Sequence, residues 1–136
     1  MAFPTLKLAG YDIVGAAGFS LNDPTAAARV AGVAVACRDR LQSLFEESGL
    51  APYFRLGIDC GIAIGQPLGS NPRIFNLWGE AVQTAQVMAS SASPGAIQVS
   101  EVAYRQLRRD FLLRPRGTFY LPAVGSSQTF ILAGGL

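Results

Sequence analysis

The stretch Ile74-Phe75-Asn76-Leu77-Trp78-Gly79-Glu80-Ala81-Val82-Gln83-Thr84-Ala85-Gln86-Val87-Met88 constrains the fold more than any other part of the chain. Its first residues are β-branched, aromatic and apolar, the composition of a short strand. Gly79 breaks the run and Glu80 opens a helix, where a carboxylate complements the positive end of the helix dipole. Ala81, Val82, Ala85, Met88 and Ala89 then recur at helical spacing and mark a face that packs inward. Gln83 and Val87 lie one turn apart on a different face and address the same region of space. On pattern alone this is a strand feeding a helix in an α/β layer, a unit that serves as readily for packing as for chemistry.

The rest of the chain supplies the layers. Residues 5–19 are apolar with glycine punctuation and predict two strands joined by a tight turn near Gly10. Asp23 as N-cap and Pro24 at the first helical position predict a helix from about Pro24 to Glu47, ended by Gly49. Ala27, Val30, Ala31, Ala34, Cys37, Leu41, Leu44 and Phe45 form its apolar stripe. Tyr53 to Gly65 reads as one long, glycine-interrupted strand buried on both faces, and Gln66 to Arg73 as a polar Pro/Gly loop. After a turn at Ser93-Pro94-Gly95, Ala96–Val99 is a short strand and Ser100-Glu101 starts a helix to about Arg109. Residues 111–117, 118–121 and 128–132 read as strands.

A chain of 136 residues is about one domain, here taken as 1–136. Half of it is hydrophobic and 15% charged, enough for a sizeable core. No uninterrupted apolar window of about 18 residues occurs, so no membrane span or membrane contact is expected from this segment. Met1-Ala2-Phe3-Pro4 lacks the basic region of a secretory signal. A net charge of +2 is too small to argue for nucleic acid. Cys37 and Cys60 sit among apolar residues, too few and too far apart for a metal site or disulfide framework; buried, reduced thiols in a cytoplasmic protein are expected. The absence of histidine removes His-based triads, His-ligated zinc and the commonest general base.

The segment from Phe75 to Met88 resembles the aromatic-Asp-x-Trp-Gly-x-x-Val-Asn-x-Ala-x-Arg-Met run of class III adenylate and guanylate cyclases. Phe75, Trp78, Gly79, Val82, Ala85 and Met88 fit, while Asn76, Gln83 and Val87 stand where that family has Asp, Asn and Arg. Leu56-Gly57-Ile58-Asp59-Cys60-Gly61 is similar to its Gly-Ile-His-Thr-Gly strand, and Ser93–Ser100 to its Pro-Gly-x-Ile-x-Val-Ser segment. Arg116-Gly117 and Thr129–Leu132 resemble the closing hairpin. Lys7 to Gly18 resembles the Lys-x-x-Gly-Asp-x-Tyr-Met-x-x-x-Gly hairpin. The resemblance implies an α+β, ferredoxin-like cyclase homology domain with a mixed or antiparallel sheet and helices packed on it. It also implies that the chain lacks the family's first strand and first two helices. That strand would be central, so strand exchange, a partner chain or a rearranged sheet should fill the gap. Direct pairing of the 53–65 strand with the 11–18 strand would show that the gap closes itself.

Position by position, the resemblance gives nucleotide-binding roles to Lys7, as the purine-reading lysine, and to Asn76, in place of a purine-reading Asp. Gln83 replaces the ribose-positioning Asn with one extra methylene. Val87 replaces the transition-state Arg. Tyr11 occupies the second metal-Asp position; Asp12 follows it, but a shift of one along a strand points the side chain to the other face. Val124 stands at the phosphate-binding lysine. The implied function is a nucleotidyl cyclase-like domain in cyclic-nucleotide signalling, catalytically degenerate alone and acting as a dimer partner or regulatory half. It would hold no cofactor of its own, with Mg2+ or Mn2+ if part of an active cyclase. Its partners would be a second cyclase domain, as homodimer or heterodimer, and a purine nucleotide. Two alternatives stand beside it. One is a fragment of an active adenylate cyclase converting ATP to cyclic AMP and pyrophosphate, with metal aspartates supplied elsewhere. The other is a non-catalytic purine-nucleotide-binding or protein-interaction module.

Overall fold

A computed structural model describes residues 5–9, 12–17, 25–61, 64–68, 74–121 and 125–136, with backbone alone for 5–9, 12–13, 64–68, 74–78 and 121. The elements run β1 (Thr5–Ala9), β2 (Asp12–Ala16), α1 (Ala26–Glu47), β3 (Leu56–Ile58), β4 (Ile64–Leu68), β5 (Ile74–Trp78), α2 (Glu80–Ser91), β6 (Ile97–Ser100), α3 (Glu101–Leu107), β7 (Phe111–Leu121) and β8 (Gly125–Gly135). The fold is α+β. Its central sheet has the order β3-β6-β8-β7, with β3 parallel to β6 and the other pairs antiparallel. Two hairpins, β1–β2 and β4–β5, form separate two-stranded sheets.

Strand alternation decides what each sheet face carries. Ile58, Ile97, Val99, Phe130 and Leu132 point to one side, where they join Ala31 and Ala34 of α1 and Ala103 and Leu107 of α3 in the main core. Gly57 points to the other side, against α2. The central sheet therefore lies between α1 and α3 on one face and α2 on the other. Residue type fixes the approach at Gly57: a Cβ there would stand 2.2 Å from the Ala85 carbonyl oxygen and 2.3 Å from the Ala89 nitrogen. Only hydrogen at that position lets the helix backbone settle on the strand.

Several expectations hold. β5, Gly79 and α2 follow one another as the sequence predicts, and Ala81, Val82 and Met88 are buried. The first hairpin forms, with Ala9 paired to Asp12; Gly10, where the turn is expected, lies outside the described residues. Gly49, at φ 69°, ends α1. Ser100 caps α3 by accepting from the Ala103 N–H at 3.2 Å.

Others are corrected. The described α1 starts at Ala26, while Asp23 and Pro24 lie outside the described residues. The long strand over 53–65 does not form: β3 stops at Ile58, opposite Val99, where its partner β6 is about to give way to α3. Gln66–Leu68 are not loop but part of β4, which Ile74–Asn76 supply with backbone partners; Gly69–Arg73 lie outside the described residues. Cys37 is exposed, not buried, and Leu44 is 40% exposed, because both lie at the margin of the inward face, which runs through Ala31, Ala34, Arg38, Leu41 and Phe45. Residues 111–121 form one strand, β7, with an irregularity between Pro115 and Gly117. The gap beside β3 does not close by pairing with β2, since the two belong to different sheets.

Candidate functional site

The face of α2 turned from the core is set by Gly79. With φ 124° and ψ 176°, Gly79 occupies a region open essentially to glycine alone, and it turns β5 sharply into the helix. The Gln83 N–H closes the first turn on the Gly79 carbonyl at 3.1 Å. Burial of Ala81, Val82 and Met88 then leaves Gln83 exposed and Val87 half-buried one turn further on. The Val87 carbonyl accepts from the hydroxyls of Ser90 (3.1 Å) and Ser91 (2.7 Å). Gln83 thus offers an amide to solvent, and Val87 offers hydrocarbon.

The strands that carry two other candidates converge nearby. Lys7 lies on β1 opposite Val14, and Asn76 on β5 opposite Gln66. β1 lies against β5, and β5 runs directly into α2. The elements that carry Lys7, Asn76 and Gln83 are thus in contact in turn, β1 with β5 and β5 with α2. Asp12 opens β2 opposite Ala9, with its side chain outside the description. Tyr11 and Val124 lie outside the described residues.

Two polar clusters were not singled out by the sequence. At the end of β3, the Ser100 hydroxyl donates to Asp59, and the Cys60 N–H also bonds the Asp59 carboxylate. Burial raises the pKa of this carboxyl above its ordinary value, and the two hydrogen bonds oppose the shift. Cys60 is pushed up to about 11, chiefly by burial and secondarily by the neighbouring Asp59 charge, so it stays a thiol at neutral pH.

The second cluster locks α2 to the sheet. Gln98, fully buried on β6, donates through its side-chain nitrogen to the Met88 carbonyl at 2.9 Å and the Ser91 hydroxyl at 2.7 Å. Its side-chain oxygen accepts from Arg116, which also donates to the Ser91 carbonyl and lies 4.9 Å from the centre of the Phe119 ring. A lone polar residue in Ala96–Val99 was the available signal: a buried amide in a strand needs partners on the element above it.

Comparison with known proteins places this geometry. The family model described as the adenylate and guanylate cyclase catalytic domain matches residues 7–134. The chain is 29% identical over 129 residues to an adenylate cyclase of Mycobacterium tuberculosis, covering 95% of this chain and 29% of that protein. It is 35% identical over 78 residues to a membrane guanylyl cyclase of Dictyostelium discoideum, covering 57% of this chain and 5% of that protein. The chain thus spans under a third of these relatives' length. The guanylate cyclase domain of RhGC from Catenaria anguillulae, solved in complex with GTP, superposes with a TM-score of 0.82 at 22% identity, over 97% of this chain and 73% of that one. The adenylyl cyclase CyaB from P. aeruginosa superposes with a TM-score of 0.77 at 19% identity, over 95% of this chain and 71% of that one. Among the described residues no helix is long and apolar enough to cross a membrane.

Proposed function

This chain belongs to the adenylate and guanylate cyclase catalytic-domain family, and from that premise we propose that it is a catalytically degenerate member, serving as dimer partner or regulatory half of a nucleotidyl cyclase assembly in cytoplasmic cyclic-nucleotide signalling. The carrying observation is the outward face of α2. One turn beyond the exposed Gln83 amide stands a half-buried isopropyl group, Val87, where the resemblance asks for a guanidinium. An isopropyl group cannot stabilise charge developing on a triphosphate. Loss of one such electrostatic stabiliser typically costs about 10²–10³ in rate.

Magnesium or manganese would be the resident ions of an active member. Among the described residues no donor set fits them: no three His, Cys, Asp or Glu side chains converge, and the Asp59 carboxylate is engaged by Ser100 and the Cys60 N–H. What remains suits binding more than cleavage. Lys7 and Asn76 are the candidates for a purine edge, and Gln83 for a ribose hydroxyl. A partner role agrees with the dimeric assembly of one similar structure, the guanylyl cyclase domain of RhoGC from Blastocladiella emersonii, at 25% identity and a TM-score of 0.70 over 88% of this chain and 65% of that one.

The test is product formation. With ATP or GTP and either Mg2+ or Mn2+, the chain alone should form no cyclic AMP or cyclic GMP above buffer, and Gln83→Ala should change nothing. Sedimentation should show a dimer, or a mixed dimer once an active cyclase domain is added. Turnover by the isolated chain that disappears with Gln83→Ala would refute degeneracy. A second reading, half of an active mixed dimer whose metal aspartates come from the other chain, is favoured by the amide retained at Gln83. Product found only in the mixture, and lost with Gln83→Ala, would select it.

A further inference from the structure

The end of the central sheet at which β3 and β7 begin carries two unlike patches, and strand register fixes their places. Gly57, Gln98, Ile131 and Arg114 stand in one row across the four strands. The chain entering β3 and the chain entering β7 therefore reach the sheet at the same end. Three strand spacings lie between them, about 14 Å. Gln83 is remote from this end: it sits in the first turns of α2, beside the far end of β3, where the Ala81 Cβ lies 3.7 Å from a Cβ placed on Gly61.

The β3 side is acidic and apolar. Exposed Glu46 and Glu47 stand in the last turn of α1, at the negative end of the helix dipole, and no basic residue shares that turn. Among the described residues neither carboxylate has a cation partner. The helix closes where the Leu50 N–H donates to the Phe45 carbonyl at 2.9 Å. Tyr53 then packs edge-on against the Phe45 ring, with centroids 5.0 Å apart at 80°. That contact fixes the ring and still leaves Tyr53 72% exposed, beside Leu50 at 57%. Arg55 is the one cation in residues 44–55. The β7 side is basic and apolar. Arg108, Arg109 and Arg114 are exposed there, with Leu112 between them 52% exposed, and Asp110 is the one acid in residues 108–114. Single exposed apolar residues are ordinary on a surface. Here they accompany charge of opposite sign at two places on one end.

We propose that this end of the sheet is a self-complementary interface through which two copies of the chain associate end to end. Glu46 and Glu47 of each copy meet Arg108 and Arg109 of the other, and Tyr53 packs beside the other copy's Leu112. A twofold axis through the middle of the end makes both contacts at once, because one separation between the patches serves both copies. Charge complementarity selects this occupant: an acidic apolar corner needs a basic apolar surface, and the same chain presents one at the matching place. An arginine over the exposed Tyr53 ring adds a cation–π contact. The interface leaves the outward face of α2 uncovered, so it goes beyond the proposed cyclase partnership and does not rest on it.

The test is sedimentation equilibrium of the 136-residue chain and two double variants, Glu46→Arg with Glu47→Arg and Arg108→Glu with Arg109→Glu. All four residues are exposed, so circular dichroism should show both variants folded. The parent should dimerise, and its dimer should weaken at least about tenfold between about 0.1 M and 1 M salt, as the screening length falls from about 10 Å to 3 Å. Each double variant alone sets like charges face to face and should lose at least about tenfold in dimer affinity. An equimolar mixture of the two should recover that affinity as a mixed dimer, because every reversed charge again faces its opposite. Tyr53→Ser should weaken the parent dimer about tenfold without changing its salt dependence. A parent that stays monomeric at millimolar concentration, or two variants that remain apart when mixed, would overturn the proposal. So would a dimer that persists unchanged in both variants, which would assign association to another face and leave the cyclase partnership standing. Oligomers beyond the dimer that vanish with either double variant would overturn the twofold arrangement.

Discussion

Gly57→Ala tests how α2, the helix that carries Gln83 and Val87, is held. The added methyl carbon would lie 2.2 Å from the Ala85 carbonyl oxygen, 2.3 Å from the Ala89 nitrogen and 2.8 Å from the Met88 Cβ. The first two atoms are the acceptor and donor positions of one i→i+4 helix bond, so the methyl drives into the helix ladder and no flexible side chain can swing away. Relief requires α2 to recede by roughly 1 Å, a displacement that forfeits about a quarter to a half of each affected dispersion contact. Ala81, Val82 and Met88 are the buried residues that lose those contacts, and the Gln98 bond to the Met88 carbonyl lengthens with them. Overpacking of this kind costs about 1–3 kcal/mol, and the rigid neighbours place this site near 3. Urea unfolding followed by circular dichroism should show the midpoint falling with an unchanged slope, and Tm should fall by about 10 °C. Gly134→Ala, where nothing lies within 4 Å of the added carbon, is the matched control and should stay within about 0.5 kcal/mol of the parent. A Gly57→Ala protein as stable as that control would refute the direct seating of α2 on β3.

Three further outcomes follow from the polar clusters. The folded-state pKa of Asp59 is raised, so the folded protein holds this proton to higher pH than the unfolded chain; its contribution to stability is greatest at low pH and declines as pH rises from about 3.8 through the folded value. Urea midpoints measured between pH 3.5 and 7 should carry that downward component, and Asp59→Asn should remove it; identical pH profiles would contradict it. Of the two thiols, exposed Cys37 should react promptly with a disulfide reagent at pH 8, while Cys60, with its pKa at about 11, should react much more slowly. Cys37→Ser should abolish the fast phase, and two equally fast thiols in the parent would contradict the burial of Cys60. Gln98→Leu takes the side-chain partner from the Met88 carbonyl and one of two acceptors from the Arg116 guanidinium, which keeps the Ser91 carbonyl, and should cost about 2–4 kcal/mol by chemical denaturation; a change under about 0.5 kcal/mol would show that the cluster contributes little.

Local signals were read well where one residue decides the backbone. Gly79 ends β5 and starts α2, and Ser100 caps α3, because each acts through its own dihedral angles or its own hydroxyl. The failures share another cause: the deciding partner lies far along the chain. β3 is short because its partner β6, far along the chain, gives way to α3 after Ser100. Gln66–Leu68 become a strand although they include a proline, since Ile74–Asn76 lie alongside. The expected stripe of α1 is wide enough to include Cys37 and Leu44, whereas the buried and half-buried line is narrower and runs through Ala31, Ala34, Arg38, Leu41 and Phe45. Gln83 and Val87 lie on one face of α2 as helical spacing predicts, whereas the Gln98–Arg116 contact joins residues 18 apart that no periodic pattern connects.

The same contrast separates the outward face of α2 from the scaffold that holds the helix. The position of α2 depends on Gly57, on Gln98 and Arg116, and on the inward residues Ala81, Val82 and Met88. None of these groups points to the outward face that carries Gln83. A valine at 87, half-buried on that face, where the resemblance asks for arginine, therefore disturbs none of these contacts, and substitutions away from them usually stay within about 0.5 kcal/mol. Val87→Arg should consequently be accepted with little change in Tm. If the degenerate reading is right, it should also leave the isolated chain without cyclase activity, because the metal-binding donors would still be missing from the described residues. Cyclic AMP or cyclic GMP made by the Val87→Arg chain alone would mean that a single side chain had silenced an otherwise complete centre.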